Sequence, residues 1–146
     1  MDEETMTAES SRNSLQQVAM TAIYDALTYR QMGMDIDVQD IVSSLCEAPY
    51  ESCDYFVKAA IVLSLKHLDE AIAAFNANMK GWTFDRRNRV EQAILLLAYV
   101  HFYYIEPDVD KGVVIDIAVK QAKRFLDDKA HRFVNAVLDH TLTPAS

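Results

Sequence analysis

Arg89-Val90-Glu91-Gln92-Ala93-Ile94-Leu95-Leu96-Leu97-Ala98-Tyr99-Val100-His101-Phe102-Tyr103-Tyr104 is the stretch that decides the fold. Its apolar residues fall nearly all round a helix rather than along one stripe, and such a helix is stable only when other elements enclose it. Outward in both directions apolar residues recur at three-and-four spacing, with breaks at Gly33, Pro49, Gly81 and Pro107. The pattern predicts an all-α chain, a bundle of about six to seven helices with this segment at its centre. The central helix is expected to start at Thr83, between Trp82 and Phe84, and to stop before Glu106-Pro107.

The surrounding helices follow from the same spacing. Leu15, Val18, Ala19, Ala22, Ile23, Ala26 and Leu27 form one stripe, closed by Gly33 as a C-cap. Asn13, Gln16, Met20 and Tyr24 lie on a flank outside it. A short helix follows, with Asp35 or Asp37 as N-cap and Val38, Ile41, Val42 and Leu45 inward. Residues 53–79 carry a stripe long enough to hold a kink or two helices. Over residues 112–126, Val114, Ile115, Ala118, Val119, Ala122 and Phe125 face inward, opposite Asp116, Lys120, Lys123 and Arg124. The last helix runs from about Ala130, burying Phe133, Val137 and Leu138.

At 146 residues the chain is the size of one domain, expected over residues 12–146 behind a mobile acidic tail at 1–11. No apolar run approaches the ~20 residues that span a membrane, and Met1-Asp2-Glu3-Glu4 is acidic where a secretory signal is positive. A cytoplasmic location without membrane contact is expected. Cys46 and Cys53 are too few for a disulfide framework or a zinc site. A Gly-rich phosphate loop, a nucleophile elbow and a His-Glu-x-x-His helix are all missing, so neither an enzyme, a small-molecule substrate nor a cofactor is indicated. His67 and Glu70 have a helical metal-site spacing, but no second copy of the motif supplies further ligands. A satisfied, partly buried histidine is the simpler reading.

A net charge of −8 argues against unassisted nucleic-acid binding, which draws most of its affinity from neutralised phosphates. The charge is uneven: four Lys/Arg stand against thirteen Asp/Glu in residues 1–78, but ten against nine in residues 79–146. A phosphate-facing surface is therefore expected in the second half. Arg86, Arg87 and Arg89 form one basic cluster and Lys120, Lys123, Arg124, Lys129 and Arg132 a second. Each is either a solvated charge run or a phosphate contact.

Trp82, Arg86 and Val90-Glu91, then Ala118-Val119 and Ala122-Lys123-Arg124-Phe125, then Phe133-Val134-Asn135-Ala136-Val137-Leu138-Asp139 follow one another in an order that resembles the carboxyl-terminal half of the NusB family. The resemblance implies a NusB-like helical bundle acting without catalysis in transcription antitermination, holding boxA-type RNA together with the ribosomal protein NusE. It implies RNA contacts at Arg12, Asn13, Gln16 and Arg86, and partner contacts at Tyr24, His101, Lys129 and Phe133. For Phe133 the alternatives are an interface anchor or ordinary core packing.

Departures from the family pattern qualify these implications. The basic run that opens the family's first helix is reduced to Arg12, with Asn13, Ser14 and Gln16 where positive charge is expected. RNA binding by the chain alone should then be weak and shallow in salt. His101 and Ile117 replace two acidic positions. The alternative is a protein-only interaction module that keeps the fold without RNA binding.

Overall fold

The computed structural model describes the backbone of residues 3–145 and the side chains of residues 12–145. The tail expected at 1–11 lies outside the residues described in full. Among the described residues seven α-helices follow one another: α1 (Glu3–Gln31), α2 (Val38–Cys46), α3 (Tyr55–Lys66), α4 (Leu68–Ala77), α5 (Arg89–Val100), α6 (Lys111–Phe125) and α7 (Asp128–Thr141). Every residue of α5 from Glu91 to Val100 is buried. The helices α1, α3, α4, α6 and α7 pack against it, as an all-round apolar helix requires. On α1, Ala19, Ala22 and Ala26 are buried, and their small side chains let its backbone approach closely.

Local chemistry sets the boundaries. Gly33 takes φ +70° after α1, and the Met34 N–H donates to the Tyr29 carbonyl, a closure that favours glycine. Of the two candidate caps for α2, Asp37 is the one used, accepting from the Asp40 N–H at 3.0 Å. Asp54, Asp110 and Asp127 cap α3, α6 and α7 in the same way, so part of the acidic excess works at positive helix ends. The 53–79 stripe divides into two helices at His67.

The start of α5 departs from the expected Thr83. Thr83 makes no capping bond, and residues Phe84–Arg86 form a 3-10 turn. The cap is Asn88, whose side chain accepts from the Val90 N–H at 2.8 Å. The turn is pinned on both sides: the Phe84 N–H donates to Asn76 Oδ1 at 2.7 Å, and Gln92 Nε2 donates to the Phe84 carbonyl at 2.7 Å. Phe84, 2% exposed, stacks on Phe75 beneath it. Arg86 is consequently outside the helix, not in its first turn. Met20 is also placed differently, 5% exposed within the core instead of on the polar flank of α1.

Beyond Val100 the helix widens into a π-turn over His101–Ile105, where the Glu106 N–H donates to the His101 carbonyl at 3.0 Å. Tyr99 from the last turn of α5 and Tyr104 from the π-turn both donate to Glu70 Oε2 on α4, at 2.7 and 2.6 Å. His67 stacks on Tyr104 at 3.8 Å between ring centres, with Nδ1 3.4 Å from Glu70, so its ring is engaged on a face and an edge. The Tyr104 and Tyr99 bonds hold the Glu70 carboxyl below its ordinary 4.5, while burial and the bond to Glu70 raise the Tyr99 hydroxyl. A lowered folded-state value means stability that is present above the unfolded value and disappears as pH falls through the folded one. Glu70→Gln should therefore lose stability at neutral pH, with the difference from wild type narrowing below about pH 4.5 in urea unfolding at stepped pH. An equal difference at every pH would refute the linkage.

Candidate functional site

A groove of about 610 Å³ opens where residues 12–17 of α1 meet α3, α6 and the π-turn. Arg12, Asn13 and Gln16 line it together with Lys120 and Arg124 from α6. Three of the four residues expected to touch RNA are thus joined to part of the second basic cluster. The α1–α6 junction is fixed by Gln121 Nε2, which donates to the Gln16 carbonyl at 3.1 Å. Gln16 Oε1 is buried with no hydrogen-bond partner among the described residues. The apolar part of the lining includes Leu15, Phe56, Val113 and Ile117.

Arg86 does not join this group. It sits before α5, whereas the groove lies past the other end of that helix, and twelve helical residues span ~18 Å. His101 lines the groove, away from the aromatic residues it was expected to accompany. It is 4% exposed, with Nε2 3.0 Å from Glu106 and its ring edge-on to Phe56, so it offers a partner little surface.

A second edge surrounds the amino end of α5. Arg87 makes two parallel bonds to Glu91, Nε to Oε2 at 2.5 Å and Nη2 to Oε1 at 2.8 Å. Its guanidinium covers the half-buried Phe133 ring at 3.6 Å and lies 5.2 Å from Trp82, which is 52% exposed. Arg89 reaches the opposite way, donating to Thr28 Oγ1 at 3.1 Å and Gln31 Oε1 at 3.0 Å while standing 5.7 Å from the Tyr24 ring. Tyr24 and Phe133 therefore flank the same helix end, each beside an arginine. Lys129, exposed, is one helical turn before Phe133 on α7 and shares its face.

Arg87 was expected in a cluster either solvated or on phosphate, but only Arg86 of the three arginines is exposed. The i,i+4 spacing of Arg87 and Glu91, with Asn88 three residues before Glu91 as in a capping box, was the available signal. Phe125 was assigned to the inward stripe of α6, yet it is 39% exposed at the groove rim. The helix ends there, and Leu126 leaves it with extended backbone, so nothing covers the ring's outer side as it would mid-helix. Asp139 links α7 to α6, its carboxylate facing Lys111 Nζ at 3.3 Å.

A seven-helix bundle with a basic-rimmed groove at one end of a buried hub, and arginine-braced aromatics at the other, has the form of a helical adaptor. A family model described as the NusB family matches residues 7–143, and the chain belongs to that family. It is 37% identical over 108 residues to the transcription antitermination protein NusB of Bacillus subtilis (strain 168), covering 72% of this chain and 82% of that one. With the NusB protein of Elusimicrobium minutum (strain Pei191) it shares 29% over 131 residues, covering 88% and 91%. The fold is that of the solved T. maritima NusB, with TM-score 0.71, 23% identity and coverage of 90% and 89%. It also matches a chain in a crystal structure of antitermination factors NusB and NusE in complex with dsRNA, with TM-score 0.67, 20% identity and coverage of 88% and 92%.

Proposed function

We propose that this chain is a cytoplasmic, non-catalytic antitermination adaptor that holds a boxA-type RNA together with ribosomal protein NusE. The observation that carries the reading is the groove, which gathers Arg12, Asn13 and Gln16 with Lys120 and Arg124 on an otherwise acidic protein. Family membership supports the same activity. RNA meets the groove, while NusE meets Tyr24, Phe133 and Lys129. Arg86, exposed beside the partner edge, serves RNA only if the strand extends along α5. That no described helix is long and apolar enough to cross a membrane agrees with an adaptor working beside the transcription machinery.

With few cations at the groove, affinity for RNA alone is weak, and a partner presenting further positive charge completes the site. An RNA titration at stepped salt should show binding strengthened by purified NusE, and Arg12→Ala should lower the salt slope by about one. Absence of any gain from NusE would defeat the cooperative reading. The neutral Asn13 and Ser14 favour the protein-only alternative. Unchanged RNA affinity and salt slope in Arg12→Ala would select it.

A further inference from the structure

The groove holds more than a phosphate track requires. Beside Arg12, Lys120 and Arg124 it carries the apolar surface of Leu15, Phe56, Val113 and Ile117, and both Val113, at 51%, and Phe125, at 39%, are exposed at its edge. A channel that only neutralised charge would gain nothing by leaving these wet. Its volume of about 610 Å³ lies within the ~300–1,000 Å³ of small-ligand pockets. The Arg124 guanidinium stands 5.3 Å from the Phe125 ring centre, so a stacking plane and a cation adjoin. Asn13, Gln16 and Gln121 line the same space, and the buried Gln16 Oε1 beneath it has no donor among the described residues. Ile117 stands where the family resemblance leads one to expect an acidic side chain; Glu106, 3.0 Å from His101 Nε2, is the carboxylate in the lining, and Lys120 is paired with Asp116 at 3.0 Å, so Arg12 and Arg124 are the cations most open to phosphate.

We infer that this groove takes one unstacked base of the bound RNA strand, laid against Phe125 with its edge toward the amides and its flanking phosphates on Arg12 and Arg124. The inference rests on the RNA-binding reading above and names what that site reads. Single-stranded recognition works by splaying a base onto an aromatic or guanidinium plane and bonding its edges. An acidic peptide would also satisfy the cations, but its carboxylate side chains give the Phe125 ring no aromatic face to stack on. Stacking does not release counterions, so a base held here supplies affinity that salt does not remove. This offsets the loss of basic residues from the first helix.

The test uses the full chain with NusE and a short fluorescent boxA-type single strand, titrated at several salt concentrations. Phe125→Ala should bind about tenfold more weakly at every salt concentration with an unchanged slope, and Phe125→Trp should restore affinity. Arg124→Gln should instead lower the slope by about one. Replacing nucleotides one at a time by abasic residues should reveal one position whose loss weakens wild type about tenfold but leaves Phe125→Ala unaffected, the coupling expected of direct contact. Equal abasic penalties in the two proteins, or wild-type affinity in Phe125→Ala, would overturn the base pocket while leaving RNA binding intact. Weakened NusE capture by Phe125→Ala without RNA would assign the groove to a protein segment and overturn it too. Failure of wild type to bind the strand even with NusE would remove the RNA-binding reading itself and the pocket with it.

Discussion

Arg87→Leu should destabilise the protein by about 3 kcal/mol, because it strands a carboxylate in the interior. Glu91 is 2% exposed and Arg87 17%, and the two bonds between them are parallel and short. Taking one charge from such a pair leaves the other desolvated with no compensating partner, whereas taking both leaves a site that apolar side chains can fill. Arg87→Leu/Glu91→Leu should therefore recover most of what the single change loses. For a domain of this length the single variant's midpoint should fall by roughly 10 °C. Thermal and urea unfolding of the two single variants and the double one measure the coupling. A loss below about 1 kcal/mol for Arg87→Leu would mean that Glu91 finds water or another donor, and the clamp would not be the structural element described.

The second large effect concerns the partner. Under the proposed function, Phe133→Ala should weaken NusE binding about thirtyfold, equivalent to about 2 kcal/mol, as expected of an aromatic anchor at an interface centre. Phe133 is half-buried, and the guanidinium 3.6 Å above its ring fixes its orientation before any partner arrives. An anchor held in place in advance loses less freedom on binding. Lys129→Ala, one turn away and exposed, should change affinity only about twofold and act mainly through salt dependence and association rate. Calorimetric titration of NusE into each variant, with the melting midpoint as a control for folding, separates the cases. Equal, small effects from both would place the partner elsewhere.

Much of this architecture is legible in the chain because burial periodicity is a local signal. The all-round apolar run of α5, the glycine after α1 and the stripes of α1 and α6 each declare themselves within about a dozen residues. Boundaries are less legible: the sequence pattern starts the central helix at Thr83, and the cap falls to Asn88 because Asn76 of α4 and Gln92 of α5 hold Phe84 in a separate turn. The site is less legible still. Arg12, Asn13 and Gln16 are neighbours on one helix, so their grouping is local, but their meeting with Lys120 and Arg124 is a tertiary event. His101 and Arg86 read alike as polar residues near the central helix, yet one is buried at its carboxyl end and the other exposed before its amino end. Phe125 misled because a stripe says which residues share a face, not whether anything covers the last of them at the helix end.

The widened turn at His101–Ile105 acts as a phase shifter in the hub. Each residue of an α-helix advances the side-chain direction by about 100°, so one residue inserted into the winding re-aims everything after it by about that angle. The re-aimed Tyr103 hydroxyl accepts from the Thr143 N–H and donates to the Thr141 carbonyl, both at 2.9 Å, fastening the carboxyl end of α7 to the hub. A chain one residue shorter there would point that hydroxyl elsewhere, release the tail of α7, and swing Tyr104 off Glu70 in the same stroke. Length within these five residues is thus under tighter constraint than identity, for a substitution changes one contact while a deletion re-indexes them all.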